Sequence, residues 1–206
     1  MDNAIKIKVI IGSTRQNRFS DKPAHWIFEE AKKKEGVQAE LLDLRDYSMP
    51  FFDDAIPPSG SGGKYTNEVV QKWAQKIKDG DAFIIVTPEY NHGYSAVLKN
   101  ALDVIYPEWN KKAVGFVSYG GVAGARVVEQ LRLVAIELRM APIRNSLHLP
   151  SDIYSKVMKE NVPVDPELFK SLRQSWDGDR VENFLNELMW MARALQTARD
   201  ADAVAA

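Results

Sequence analysis

Short apolar runs rich in β-branched residues alternate along this chain with longer segments whose apolar residues recur at helical spacing. This alternation is the order expected of strand–helix–strand units, which build a parallel sheet with helices on its faces. Five runs are predicted as strands, at 5–11, 37–43, 81–87, 112–118 and 142–147. Apolar stripes at helical spacing lie between them, for example Ala24, Ile27, Phe28 and Ala31, and then Val70, Trp73, Ala74 and Ile77.

Five strands joined by crossover helices are most economically arranged as a doubly wound α/β sheet of flavodoxin-like order 2-1-3-4-5. This is a three-layer fold with a five-stranded parallel sheet, and its ligand crevice lies at the carboxyl ends of strands one and three. Beyond residue 150, Asp165-Pro166 predicts a helix start. A long amphipathic stripe follows at Val181, Phe184, Leu185, Leu188, Ala192 and Leu195. We therefore expect one domain over residues 1–206, with 151–206 as an extra C-terminal helical segment.

Composition restricts the partners and the chemistry of the chain. The 27 Lys and Arg are balanced by 28 Asp and Glu, so the basic excess of nucleic-acid binders is missing and no nucleic-acid partner is expected. The absence of cysteine excludes disulfides and thiolate chemistry and fits a reducing cytoplasm. No apolar run reaches the length of a membrane helix, and the three histidines lack metal-ligand spacing. We expect neither a membrane nor a metal partner.

The loop after the first strand, residues 12–20, reads Gly-Ser-Thr-Arg-Gln-Asn-Arg-Phe-Ser and leads into a helix. Backbone N–H groups, hydroxyls, two guanidinium groups and a helix N-terminus together suit a dianionic terminal phosphate. The loop is neither a Walker A motif nor a GxGxxG fingerprint, which argues against ATP hydrolysis and a Rossmann-bound dinucleotide. A plain turn with Ser20 as helix cap and two solvated arginines is an equally open interpretation of this loop alone.

Two further loops follow the third and fourth strands. Residues 87–95, Thr-Pro-Glu-Tyr-Asn-His-Gly-Tyr-Ser, combine aromatics, an amide and a glycine in a way that could enclose the edge of a flat heteroaromatic ring. Taken alone they also fit a turn shaped by Pro88 and Gly93. Residues 117–126 contain three glycines that would let a ring approach the backbone. Because the three loops follow adjacent strands of the predicted sheet, we expect them to meet at its carboxyl edge.

The sequence resembles the NADPH-dependent FMN reductase family, flavodoxin-like enzymes that include the bacterial quinone, chromate and azo reductases. The resemblance spans about residues 4–150. It rests on Gly12-Ser13-Thr14-Arg15, on residues 88–95 followed by Leu98-Lys99-Asn100-Ala101-Leu102-Asp103, and on Ser118-Tyr119-Gly120-Gly121.

This resemblance implies FMN as cofactor and NADPH or NADH as co-substrate. It implies that the FMN phosphate is held by the first loop, at Ser13, Arg15 and Ser20, with Arg18 and Phe19 between them. The isoalloxazine would be lined by Pro88, Glu89, Tyr90 and Asn91, and its pyrimidine edge by Ser118, Tyr119, Gly120 and Gly121. No catalytic side chain is expected, because hydride transfer takes place at flavin N5.

The expected function is an FMN-dependent NAD(P)H oxidoreductase that passes two electrons by a ping-pong mechanism to quinone-like or other small acceptors. The alternatives are a non-enzymatic FMN electron carrier and a hydrolase, for which Ser13 and Ser118 lack an evident histidine partner. Apolar residues after position 170 are surplus to a core whose two faces already have helices, which predicts a homodimer or homotetramer. They are Trp176, Phe184, Met189, Trp190 and Met191.

For three side chains near these loops, the sequence is consistent with both a functional and a structural role. Glu89 could act as a base or could shape the backbone or an interface. His92 could steer a substrate or accept a proton, or it could be a turn histidine with a backbone partner. Arg126 could pair with a nicotinamide nucleotide phosphate or with Glu129, one helical turn away.

Overall fold

A computed structural model describes residues 4–160, 168–169, 174–176 and 178–205. Its main sheet has five strands, β1 Ile5–Ile11, β2 Val37–Asp43, β3 Ala82–Pro88, β4 Ala113–Tyr119 and β5 Ala141–Leu149. Neighbouring strands are all parallel and their order is β2-β1-β3-β4-β5. The predicted α/β fold and strand order are confirmed. Strands β3 and β4 lie one residue later than predicted, and β5 is longer at both ends.

Helices occupy the connections between the strands and follow the last one. They are α1 Asp21–Lys32, α2 Glu68–Asp79, α3 Ala96–Asp103, α4 Ala125–Glu137, α5 Ser151–Lys159 and α6 Arg180–Ala205. A short antiparallel pair, β6 Gln174–Ser175 and β7 Gly178–Asp179, precedes α6. The predicted helix start at Asp165-Pro166 lies outside the described residues. Among the described helices, none is long and apolar enough to cross a membrane.

Helix boundaries follow from local chemistry. Pro23 stands in the first turn of α1, where a missing N–H costs no hydrogen bond. Asn67 caps α2 by accepting from the backbone N–H groups of Val69 and Val70, and Gly80 ends that helix. Strands β3 and β4 are buried along their whole length because helices cover both faces of the sheet.

The core has two halves, one on each face of the sheet. Helices α2, α3 and α4 cover one face, where Trp73, Leu98 and Leu131 are buried. Helix α1 covers the other face together with α6, which contributes Phe184 and Leu188. The C-terminal helix therefore completes the third layer of the sandwich.

We expected the apolar residues after position 170 to be surplus to the core, and for Phe184 and Met189 this expectation was wrong. Phe184 is fully buried and Met189 is 8% exposed, both within the core of the α1 face. Trp176 and Trp190, in contrast, are largely exposed, at 91% and 68%. The helices of residues 1–150 leave part of that face bare, and α6 covers it.

Candidate functional site

The three loops singled out by sequence meet at the carboxyl edge of the sheet, as expected. The Ser13 hydroxyl from the first loop lies 3.2 Å from the Tyr90 hydroxyl of the second. Ser95, which caps α3, donates from its hydroxyl to the Gly12 carbonyl at 2.6 Å. The Glu89 N–H donates to the Tyr119 carbonyl at 2.8 Å and so joins the second loop to the third.

The first loop leaves β1 where the backbone runs close against β3. A Cβ at Gly12 would lie 2.9 Å from the Val86 carbonyl oxygen, so glycine is required there. The second loop turns through Asn91 and His92, which have φ of 50° and 72°. Tyr90 and Gly93 exchange backbone hydrogen bonds of 2.8 and 2.9 Å across this turn. Two positive φ values in succession define a tight turn in which asparagine is well tolerated.

A cleft of about 300 Å³ opens between these loops and is called the central cleft below. Its floor contains Gly120, where a Cβ would lie 2.8 Å from that of Glu89, and Gly121, where a Cβ would meet nothing within 4 Å. A flat ring could therefore approach the backbone at Gly121. The lining residues are Arg15, Pro88, Glu89, Tyr90, Tyr119, Gly120, Gly121, Ser151 and Tyr154.

Sequence reasoning missed Ser151 and Tyr154, which stand on α5. Tyr154 packs edge to face on Phe19 with ring centroids 5.3 Å apart. Strand β5 ends at the same edge as the other strands, so the residues that follow it were candidates by the rule that selected the three loops.

The first loop divides into an open part and a buried part. Arg15 is exposed, lines the central cleft and has no side-chain partner among the described residues. Ser20 is fully buried, its hydroxyl lies 2.6 Å from that of Tyr119, and it makes no capping bond to α1. Phe19 packs edge to face against Tyr119 at 4.9 Å. Burial raises the pKa of Tyr119 above its ordinary value.

Arg18 is also buried and is surrounded by protein partners. It donates to Asp21 Oδ1 at 2.7 Å, to Asp43 Oδ1 at 2.8 Å and to the Ser13 carbonyl. Burial by itself would lower the pKa of Arg18, but the hydrogen bonds and charges of Asp43 and Asp21 outweigh it and raise that pKa. The side chain predicted to contact a phosphate is thus bonded to protein groups on all sides that the structure describes.

The loop after β4 is fixed by a serine–histidine pair that the sequence did not reveal. The Ser118 hydroxyl donates to the Ala123 carbonyl at 3.0 Å, and His148 Nδ1 lies 2.9 Å from the same hydroxyl oxygen. The two residues are register partners in β4 and β5. Burial lowers the pKa of His148. Because Ser118 is fully buried and its proton is directed to a carbonyl, the pair holds a loop in place and does not present a nucleophile.

Glu89, His92 and Arg126 form one cluster beside the central cleft. Arg126 Nε donates to Glu89 Oε1 at 2.6 Å, and its Nη1 lies 2.7 Å from His92 Nε2. Arg126 thus pairs with Glu89, not with Glu129, and His92 has a side-chain partner in place of the anticipated backbone one. The Glu89 side chain is only 3% exposed, and its Oε2 has no hydrogen-bond partner among the described residues.

Comparisons with known proteins agree with this geometry. Residues 5–152 match the family model described as NADPH-dependent FMN reductase. The chain is 42% identical over 149 residues to an NAD(P)H-dependent FMN reductase of Schizosaccharomyces pombe, covering 71% of this chain and 74% of that protein. It is 31% identical over 143 residues to a 2-hydroxy-1,4-benzoquinone reductase of Burkholderia sp, with coverages of 68% and 69%.

A solved structure supports the fold. The flavoenzyme NAD(P)H:(acceptor) oxidoreductase from Paracoccus denitrificans aligns with a TM-score of 0.63 at 17% identity, over 91% of this chain and 99% of that one. The match to the family model covers all five strands and all three loops of the central cleft. The resemblance noted in the sequence is confirmed, and the chain belongs to the NADPH-dependent FMN reductase family.

Proposed function

We propose that the chain binds FMN in the central cleft and passes two electrons from NADPH or NADH to quinones or other small acceptors. The observation that carries the proposal is that one cleft of the described chain contains both the guanidinium of Arg15, which has no side-chain partner, and the two glycines Gly120 and Gly121. The first suits a phosphate and the second a planar ring. Membership of an enzyme family favours this function over the non-enzymatic electron carrier.

The residues present fit FMN in particular. The space above Gly121 is open, so a planar ring can approach the backbone there, and the exposed guanidinium of Arg15 on the same cleft suits a phosphate. We propose that the following residues of the three loops form the FMN site, the exposed ones by contact with FMN and the buried ones by shaping the loops: Ser13, Arg15, Arg18, Phe19, Ser20, Pro88, Glu89, Tyr90, Asn91, Ser118, Tyr119, Gly120 and Gly121. Among them, the buried Arg18, Phe19 and Ser20 would shape the loop from behind.

Bound FMN would supply the redox chemistry by accepting a hydride and passing its electrons on. The part of the protein is to hold the phosphate, orient the ring and leave one face of it accessible. We propose that the reductant and the acceptor stack in turn on this one accessible face, so that the reductant leaves before the acceptor enters, which is a ping-pong mechanism. Recognition by stacking discriminates weakly, so a broad range of flat acceptors is expected.

We also propose a homodimer or homotetramer in the cytoplasm, built from one FMN-binding domain spanning residues 1–206. Two exposed apolar side chains one turn apart on α4, Leu133 at 71% and Ile136 at 62%, support the assembly. Light scattering at micromolar concentration tests it, and a mass equal to the 23.2 kDa chain would contradict it.

The FMN assignment is tested by comparing FMN with riboflavin, which lacks the phosphate. We expect Arg15→Ala to weaken FMN binding about 10- to 150-fold, from the loss of one charge-assisted contact worth about 1.5–3 kcal/mol, and to leave riboflavin binding unchanged. Arg193→Ala is the matched control, because Arg193 is an exposed arginine on α6 beside Gly36, at the opposite edge of the sheet.

The readouts are quenching of flavin fluorescence and bleaching of the flavin spectrum by NADPH without oxygen, followed by recovery with a quinone. Equal affinity of the wild type for FMN and riboflavin would refute the phosphate assignment. A protein that binds FMN but is not bleached by NADPH or NADH would refute the reductase function.

A further inference from the structure

Three consecutive carbonyl groups of the first loop each accept a hydrogen bond from an arginine. Arg18 Nη1 donates to the Ser13 carbonyl. Arg45 Nε donates to the Thr14 carbonyl at 3.4 Å, and Arg45 Nη2 donates to the Arg15 carbonyl at 2.6 Å. Arg45 lies in the short helical turn Leu44–Asp46 that follows β2. Two arginines thus hold the loop backbone at three successive carbonyls.

This arrangement determines where the loop N–H groups point. In a trans peptide the N–H of the following residue is directed opposite to the carbonyl, and the described chain has no cis peptide bonds. Each of the N–H groups of Thr14, Arg15 and Gln16 therefore points away from the arginine that holds the carbonyl of the same peptide group. Successive N–H groups on one side of a turn form an anion-binding concavity. The Arg15 N–H donates to the Ser13 hydroxyl oxygen at 3.4 Å, which places that hydroxyl on the N–H side of the loop.

Asp43 organises both arginines. Its Oδ1 accepts from Arg18 Nη1 at 2.8 Å and from the Arg45 backbone N–H at 2.9 Å, and its Oδ2 accepts from Arg18 Nη2. Asp43 is the last residue of β2 and is the register partner of Ile11, the last residue of β1. The carboxylate therefore stands beside the point where the first loop begins.

The positive charge of Arg18 is balanced by neighbouring carboxylates of the protein. The Arg18 guanidinium meets the carboxylates of Asp43 and Asp21 and has no positive charge to spare for a ligand. Although burial alone would raise it, the pKa of Asp43 is lowered, chiefly by its hydrogen bond from Arg18. An ionised Asp43 would repel a phosphate unless it were neutralised in this way. Arg15 remains as the cation directed at the central cleft.

We propose that Asp43 and Arg45 are positioning residues that shape the first loop for a phosphate without touching it, so that they set the preference of the protein for FMN over riboflavin. The inference rests on the proposed function and adds two residues outside the family motifs found in the sequence. Arg18 acts with them, by holding the Ser13 carbonyl.

The test uses the flavin-free full chain and the variants Asp43→Asn and Arg45→Gln. Glu40→Gln is the matched control, because Glu40 is another paired carboxylate on β2 but bonds to Lys8 and Lys76, away from the loop. Each protein is titrated with FMN and with riboflavin by fluorescence quenching, and its thermal midpoint is measured without flavin. We expect FMN affinity to fall about tenfold or more in the two variants, from loss of one hydrogen bond involving a charged group, and riboflavin affinity and the control to stay unchanged.

Three other outcomes separate the inference from the proposed function. If FMN and riboflavin affinities fall together, Asp43 and Arg45 only support the fold and the inference is overturned. If the wild type prefers FMN and both variants keep that preference, the inference fails while the proposed function stands. If the wild type binds neither flavin, the proposed function fails and the inference fails with it.

Discussion

Replacing Phe184 by alanine tests whether the C-terminal helix is an integral part of the fold. The ring of Phe184 is fully buried and occupies the space left by Gly115 in the middle of β4. A Cβ at Gly115 would lie 2.7 Å from two ring atoms of Phe184 and 3.2 Å from Ile143 Cδ1. Because the ring lies close against the backbone of β4 and within the same buried cluster as Ile143, the space cannot close easily after truncation.

Truncation of a buried phenylalanine typically costs about 3–5 kcal/mol, from lost transfer free energy and the cavity that remains. In a chain of this size, 1 kcal/mol corresponds to about 2–4 °C in melting temperature. We therefore expect Phe184→Ala to lower the melting temperature by about 6–20 °C. Urea unfolding followed by circular dichroism gives the free energy directly. Flavin is removed first and protein concentration is held constant, because a ligand or an oligomer raises apparent stability by mass action.

Trp190→Ala is the matched control, since it removes a larger aromatic ring from the same helix at a position that is 68% exposed. We expect its effect to stay within about 0.5 kcal/mol. A cost below about 1 kcal/mol for Phe184→Ala would show that α6 is peripheral, contrary to the packing described above.

Two further predictions concern a glycine and a buried lysine. Gly124 has φ of 74°, and a Cβ there would lie 2.6 Å from that of Ser118. Gly124→Ala should therefore destabilise the chain by about 1–3 kcal/mol, while the control Gly121→Ala costs less than about 0.5 kcal/mol. Equal urea midpoints for the two variants would contradict this prediction. Burial lowers the pKa of Lys112 from 10.5 to about 7. Between these pH values the unfolded chain binds a proton that the folded chain lacks, so the contribution of Lys112 to the free energy of unfolding rises with pH. The stability difference between wild type and Lys112→Met should change across this range, and a constant difference would refute the pKa shift.

The sequence alone predicted the sheet and the location of the site. Apolar runs and helical stripes are local patterns, and parallel strands with crossover helices have few possible arrangements. Strand order, the meeting of the three loops and the family could therefore be inferred from periodicity and motifs. Gly12 and Gly120 stand at positions where only a glycine fits, so the glycines in the sequence of these loops already indicated a close approach of the backbone.

The tertiary structure decided which side chains line the central cleft and which are bonded within the protein. Arg15 and Arg18 are three residues apart and chemically alike, yet one is exposed at the cleft and the other is buried between Asp21 and Asp43. The partner of Ser118 comes from the adjacent strand, 30 residues away. Such pairings depend on strand register and on helix packing, which join residues distant in sequence. Periodicity shows that a residue belongs to a strand, a helix or a loop, but only the packed fold determines the neighbour to which its charge or hydroxyl is bound.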